Sequence, residues 1–467
     1  MACYGTVNKQ DNFPEVNRRS FLKNTSLATV MAMMGGVELR ADDAPKPAAP
    51  VEPALTKIPI GPTVKFGVIG LGARGRDVLK ELALLPNTPV AAICDNYPSS
   101  MRRAGNNDAP KAQRFDDYQK LLACPDVQAV VIATPTPDHR EMAIAALKAG
   151  KHVYCEAPLA HSVEDTRAIA VAARDSVKLV FQPGLQERSH PQRYFLLPFI
   201  RSGALGTVVM TRAQSHQNTS WFSASSNPEH EKALNWRLHQ ATSTGLMGEI
   251  GIHQIDAVSW FLRERPVAVT GFGSIMHWKE DGRDVADTVQ GIFEYPDGAN
   301  FVYDATLCNS FDKDYEMYYG TQSAVMVRDA KAWLFYEAGA QLGGWEVYAR
   351  KDDFYTETGI ALAANATKQT AIGTSATAAA SPWTPLHYAL EAFAANVGQR
   401  DIAVKDFVDN YGDSDLKALA DNIKALKPYA HAADWQDGLT ATVLGIKANE
   451  SVVKKQKVPI EKELFDI

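Results

Sequence analysis

The chain has 467 residues, too many for one ordinary core, and its 46% hydrophobic and 22% charged content suits a folded globular protein of two domains. A formal net charge of -6 with no long Lys/Arg run sets aside nucleic acid as a partner. Cys3, Cys94, Cys124, Cys155 and Cys308 form no C-x-x-C pair, which argues against a zinc ribbon and puts no metal in the reading.

Asn17-Arg18-Arg19-Ser20-Phe21-Leu22-Lys23, followed by the apolar stretch Leu27 to Val37, reads as a twin-arginine signal over residues 1–41. The stretch is too short to span a bilayer, and Leu39-Arg40-Ala41 is a candidate cleavage site. The expectation is a periplasmic or otherwise exported protein. The twin-arginine export machinery is its partner, and it has no stable membrane span. The competing reading is a chance arginine pair before a buried helix. Residues 42–61, with Pro45, Pro47, Pro50, Pro53 and Pro59, predict an extended arm, either a plain linker or a strap across a neighbouring subunit.

From Val64 the pattern becomes regular. The apolar run Val64 to Ile69 predicts a buried parallel strand, Gly70-Leu71-Gly72-Ala73-Arg74-Gly75 a tight turn, Val78 to Leu85 a helix, and Val90 to Cys94 a second strand ending at Asp95. In this strand–turn–helix context G-x-G-x-x-G points to a dinucleotide. Gly70 permits the turn, Gly72 lets the backbone approach a pyrophosphate at the helix N-terminus, and Gly75 lets helix and strand pack closely. Asp95, twenty positions after Gly75, accepts the adenosine ribose hydroxyls and repels a 2'-phosphate, favouring NAD. Arg74, Arg102 and Arg103 pull the other way and leave NADP open.

The alternation continues. Strands are expected at Val127 to Ala133, Lys151 to Cys155 and Lys178 to Phe181, with helices at Arg140 to Ala149 and Val163 to Arg174. This series predicts a Rossmann domain over 62–185, with a parallel sheet and ligand-binding residues beyond its strand ends: Gly70, Gly72, Ala73, Arg74, Gly75, Asp95, Thr134, Pro135, His139 and Glu156.

These segments resemble the glucose-fructose oxidoreductase / inositol dehydrogenase / MocA family of sugar dehydrogenases. The resemblance rests on Gly67 to Gly75, Ala133-Thr134-Pro135 to His139, Ala149-Gly150-Lys151-His152-Val153 to Glu156-x-Pro158, Asp284-Val285-Ala286-Asp287-Thr288 and Ala448-Asn449-Glu450-Ser451. It implies bound NAD or NADP, a small carbohydrate or polyol substrate, and a homo-oligomer, dimer or tetramer, built on the free face of a second sheet. The family pattern Glu-Lys-Pro reads Glu156-Ala157-Pro158 here, so the lysine that the resemblance places beside the nicotinamide is replaced by an alanine without charge or donors.

Residues 186–467 change character. Thr207 to Ala213, Val267 to Ser274, Thr288 to Tyr295, Asn300 to Leu307 and Ala324 to Arg328 read as strands of an open, mostly antiparallel sheet in an α+β domain. Glu249 and His253, four apart, are expected on one helix face with Asp256 close by. This resembles the family's Asp-x-x-x-His-x-x-Asp helix. The resemblance makes His253 the base, Glu249 its partner and Asp256 a substrate- or ring-orienting group; the competing reading is a structural pair on a solvated face. Gln186, Arg188 and Trp236 are the candidate substrate-binding residues. Ala361 to Ser381 reads as an exposed insertion, Trp383 to Val397 and Leu439 to Lys455 as helices.

Little free NAD is available outside the cytoplasm, so export implies a tightly bound cofactor. Three functions follow: a sugar or polyol oxidoreductase, a redox-neutral NAD-dependent glycosidase working by oxidation, elimination and hydration, or a non-catalytic sugar-binding protein.

Overall fold

The computed structural model describes residues 60–328, 331–337, 360–362 and 383–467. The signal segment, nearly all of the proline-rich arm and residues 363–381 of the Ala/Thr-rich stretch lie outside the described residues.

The first unit is a six-stranded parallel sheet in the order β3-β2-β1-β4-β5-β6. Its strands are β1 (Phe66–Ile69), β2 (Val90–Cys94), β3 (Gln113–Phe115), β4 (Ala129–Ile132), β5 (His152–Cys155) and β6 (Phe181–Pro183). β1, β4 and β5 are buried along their whole length, which is why they read as unbroken apolar runs rather than alternating ones. Between them run α1 (Ala73–Leu84), α2 (Pro98–Asn107), α3 (Tyr118–Leu122), α4 (His139–Lys148) and α5 (Val163–Asp175). Strand order reverses between β1 and β4, which opens a crevice at the carboxyl ends of the strands.

The second unit is a nine-stranded sheet in the order β14-β13-β12-β11-β7-β10-β9-β8-β15. It is built from β7 (Val208–His216), β8 (Ala268–Ser274), β9 (Thr288–Glu294), β10 (Asn300–Thr306), β11 (Tyr315–Gly320), β12 (Ser323–Arg328), β13 (Lys331–Tyr336), β14 (Ile360–Leu362) and β15 (Lys457–Pro459). Among the described strands of this sheet only β7 and β10 pair in parallel. The remaining α-helices among the described residues are α6 (Pro191–Arg201), α7 (Pro228–Leu234), α8 (Gly245–Glu249), α9 (Ile252–Leu262), α10 (Pro385–Tyr411), α11 (Leu416–Ala425) and α12 (Trp435–Lys454). One sheet face carries Phe293, Phe301, Tyr303 and Tyr318 into a core with Leu246, Met247, Val258, Phe261 and Leu444. The opposite face leaves Met210, Phe272 and Ile292 exposed.

The split at residue 185 does not divide the packing. From the C-terminal segment, α10 returns Leu386, Leu390, Phe393 and Val397 against Phe66, Val68 and Tyr154 of the first sheet. α12 lies between the two units: Thr442 Oγ1 accepts the Leu159 N–H at 3.0 Å, and Gly445 lets the helix approach Gly248, whose Cα lies 3.1 Å from where a Cβ would stand. Among the described residues no helix is long and apolar enough to cross a membrane.

Candidate functional site at the carboxyl ends of the parallel sheet

The turn after β1 has the shape a dinucleotide needs. Gly70 sits at φ +90°, and a Cβ there would stand 2.6 Å from the Ala133 carbonyl oxygen. A Cβ on Gly75 would stand 1.8 Å from the Gly70 oxygen, so only glycine closes the helix onto the strand. Gly72 is different: a Cβ there would meet nothing within 4 Å. It begins α1, whose first turn holds no acidic residue and whose N-terminus has no side-chain cap. Open space in front of uncapped backbone N–H groups is what an anion at a helix N-terminus requires. Asp95 accepts the Leu71 N–H at 2.8 Å and the Tyr97 N–H at 2.7 Å, which fixes its carboxylate beside the turn. Burial pushes the Asp95 carboxyl above its ordinary value, against the pull of those two hydrogen bonds and of His230. These residues fit a dinucleotide.

Arg74 corrects one expectation. Its guanidinium does not lie by the ribose carboxylate. It crosses to the end of β5, where it donates to Glu156 at 2.8 and 3.2 Å and to Gln186 at 3.0 Å. Glu156 is therefore paired, and the Arg74 guanidinium is engaged at the end of β5. Arg102 and Arg103 are exposed on α2. Thr134 turns its hydroxyl to the Met142 sulfur at 3.6 Å, and Pro135 precedes the short 3-10 turn Thr136–Asp138. His139 is a second correction. It is buried, with Nδ1 3.0 Å from the Pro158 carbonyl and Nε2 3.0 Å from that of Thr134. It ties two strand-end loops together instead of facing a ligand, and burial lowers its pKa.

The second unit contributes the acid–base groups, and here the structure departs furthest from the expected helix. Glu249 ends α8 and His253 lies in α9, the helix being interrupted at Ile250 and Gly251. A Cβ on Gly251 would stand 2.5 Å from the Met247 carbonyl and 2.8 Å from the Tyr303 ring, so the break is built around glycine. The expected Glu249–His253 pair does not form. The Glu249 carboxylate accepts the Thr244 N–H at 3.1 Å and hydroxyl at 2.9 Å and the Thr136 hydroxyl at 3.5 Å, with Arg237 at 3.6 Å. Burial raises its pKa, against Arg237, Thr244 and Thr136. His253 keeps a buried Nδ1 with no hydrogen-bond partner among the described residues. Burial lowers its pKa, and the charges acting on it come from Glu187, Arg74, Glu156 and Asp256, which places it at the mouth of the parallel sheet.

Asp256 and Arg188 are the third correction. Arg188 donates to both Asp256 oxygens at 2.8 Å and pairs with Asp437 at 3.0 Å. Asp256 is buried and Arg188 only slightly exposed; they are paired with each other, and Arg188 also with Asp437 of α12. Gln186 lines the site through Arg74. Trp236 lies under the Arg237 guanidinium at 4.5 Å, with Trp221 on that cation at 5.8 Å. Thr136, Thr244 and Glu187 were not singled out from the sequence; Thr136 lies within the Ala133 to His139 segment, Thr244 precedes Glu249 by five residues and Glu187 adjoins Gln186. Ala157 packs with Leu185, Ile252, Ala433 and Ala441 in an apolar cluster. Among the described residues no group of three or more His, Cys, Asp or Glu side chains converges as a metal site.

A family model described as an oxidoreductase family with an NAD-binding Rossmann fold matches residues 64–183, and one described as the GFO/IDH/MocA C-terminal domain matches 198–325. Inositol 2-dehydrogenase of Salmonella paratyphi B is 30% identical over 203 residues, 43% of this chain and 55% of the relative. Levoglucosan dehydrogenase of Pseudarthrobacter phenanthrenivorans is 32% identical over 163 residues, 33% of this chain and 40% of the relative. The chain thus spans about half the length of the curated relatives it matches. The structure of a levoglucosan dehydrogenase in complex with NADH and levoglucosan superposes with a TM-score of 0.63 at 19% identity, covering 86% of this chain and all of that one, and supports the fold.

Proposed function

Because the chain belongs to the GFO/IDH/MocA family of oxidoreductases, we propose that it moves hydride between a sugar or polyol hydroxyl carbon and a tightly held nicotinamide dinucleotide, NAD in the first instance. The observation that carries this reading is His253. It is a histidine whose pKa burial lowers, with a buried Nδ1 that has no hydrogen-bond partner among the described residues, set among the charges of Arg74, Glu156 and Glu187 at the end of the parallel sheet. A neutral imidazole there accepts the hydroxyl proton as hydride leaves the same carbon. Glu249, its pKa raised by burial, accepts the Thr136 hydroxyl and so sits beside the Thr134–His139 loop. Arg74, fixed by Glu156 and Gln186, keeps the floor of the site rigid. When bound, the dinucleotide supplies the hydride acceptor, its pyrophosphate held at Gly72 and its ribose at Asp95.

The named relatives act on inositol and levoglucosan, which supports the substrate class. Ala157 favours a second reading. Its apolar packing puts no cation at that position, which is compatible with the redox-neutral glycosidase. Export is part of the proposal, supported by Arg18-Arg19 and the apolar stretch that follows. Replacing both arginines by lysine is expected to leave the protein in the cytoplasmic fraction, and unchanged export would remove that part. We also assign the exposed sheet face to a homo-oligomer.

The test is to purify the mature protein and follow nicotinamide absorbance and fluorescence while adding sugars and glycosides singly. A reduced-cofactor signal that rises with one sugar and is reset by another supports the oxidoreductase. Release of an aglycone with no lasting signal change replaces it with the glycosidase, and sugar binding with neither leaves a binding protein.

A further inference from the structure

The second unit reaches the Asp95 side of the parallel sheet at Tyr97. Tyr97 follows β2, two residues after Asp95, and its N–H donates to the Asp95 carboxylate. His230, in α7, lies flat on the Tyr97 ring: the ring centroids are 3.3 Å apart and the planes differ by 5°. The charge of His230 acts on Asp95 as well. The loop that presents this ring is tied in several places. The Asn227 carboxamide oxygen accepts the Glu229 and His230 N–H groups at 3.0 and 3.3 Å, and the Ser225 hydroxyl meets His230 Nδ1 at 3.1 Å. Ser223 exchanges two hydrogen bonds with the Asn235 side chain, at 2.8 and 3.0 Å. Upstream, the Thr219 N–H donates to the Leu307 carbonyl at 3.1 Å, and Arg283 holds the Ser220 carbonyl. His230 therefore projects from a fixed support onto the rim beside the ribose carboxylate.

We propose that Tyr97 and His230 form a gate across the adenosine end of the dinucleotide site, and that parting these rings limits cofactor entry and exit. The inference rests on the dinucleotide reading above. Rings in van der Waals contact leave no room for a base between them, so a nucleoside passing to or from Asp95 must separate a stack that joins the two units. An aromatic pair of this kind adds a modest, specific attraction. A gate slows binding and release together, so it prolongs retention of the cofactor without strengthening its affinity.

The experiment is stopped-flow NADH fluorescence on the purified mature protein, with binding followed by mixing and release by an excess of NAD+. Wild type is compared with His230→Ala, Tyr97→Ala and the ring-conserving His230→Phe. Both alanine variants are expected to bind and release NADH about fivefold faster, with a nearly unchanged dissociation constant, and His230→Phe to keep wild-type rates. Unchanged rates in the alanine variants overturn the gate. Faster release with unchanged association also overturns it and leaves the pair as a wall of the site. Failure of wild type to bind NADH at all overturns the dinucleotide reading itself.

Discussion

His253 and Asp256 lie three residues apart, yet their surroundings set them to opposite tasks. His253 has a burial-lowered pKa and an Nδ1 without a hydrogen-bond partner among the described residues, whereas both Asp256 oxygens accept from Arg188. His253→Ala is therefore expected to cut turnover by about 10²- to 10⁴-fold while NADH titrations stay at wild-type affinity. The pH profile follows the same shift. The base works unprotonated, so kcat/KM falls as pH drops through the folded pKa of His253. Because burial lowers that pKa, the acid limb is expected below about pH 6.5, the ordinary histidine value, with a plateau above it. A limb above that value would give the base to another group. Asp256→Ala has a different signature. It leaves the largely enclosed Arg188 with Asp437 as its remaining carboxylate partner and is expected to cost about 3 kcal/mol of stability in denaturant unfolding. If stability held while kcat collapsed, Asp256 would return to the chemistry.

At the scale of elements, the glycine turn separates two roles that the motif merges. Gly75→Ala drives a methyl into the Gly70 carbonyl and is expected to cost about 3 kcal/mol, read as a lowered Tm without ligand. Gly72→Ala meets open space, so its Tm is expected to match wild type while the NADH dissociation constant rises about tenfold. Equal Tm losses in both would mean that the turn is purely structural. This turn was legible because all of its determinants are local: an apolar run, three glycines and an acidic residue at the next strand end. The acid–base segment was legible in composition and not in shape. A four-residue spacing implies one helix face only if the helix is continuous, and Gly251 breaks it to clear Tyr303, a strand residue far along the chain. The strands β3, β11, β13, β14 and β15 escaped for a related reason, β14 within the edge of the stretch read as an insertion, since their pairing depends on neighbours rather than on their own periodicity.

Across the whole molecule, the deciding contacts join segments that sequence spacing does not connect. α10 covers the first sheet, α12 holds Arg188 through Asp437, and α7 reaches Tyr97. The fold class and the order of the two units were readable because each sheet has its own pattern; the way the C-terminal helices bind them together was not. The open sheet face follows the same logic of unpaired surface. Along one row, Thr270, Ile292, Val302, Arg212 and Met317 are aligned across β8, β9, β10, β7 and β11. Ile292 at 45% and Phe272 at 58% relative exposure make the face apolar and leave it uncovered in the single chain. A two-fold axis across such a face places each residue in the interface twice, so one charge introduced there acts on both partners. Ile292→Arg is therefore expected to lower the sedimentation mass to that of a monomer. The isolated fold should change by no more than about 0.5 kcal/mol, because the side chain projects to solvent in the single chain. If the mass of the variant equals that of an oligomeric wild type, the assembly uses another surface. If wild type itself sediments as a monomer, the face is open in solution as it is in the single chain.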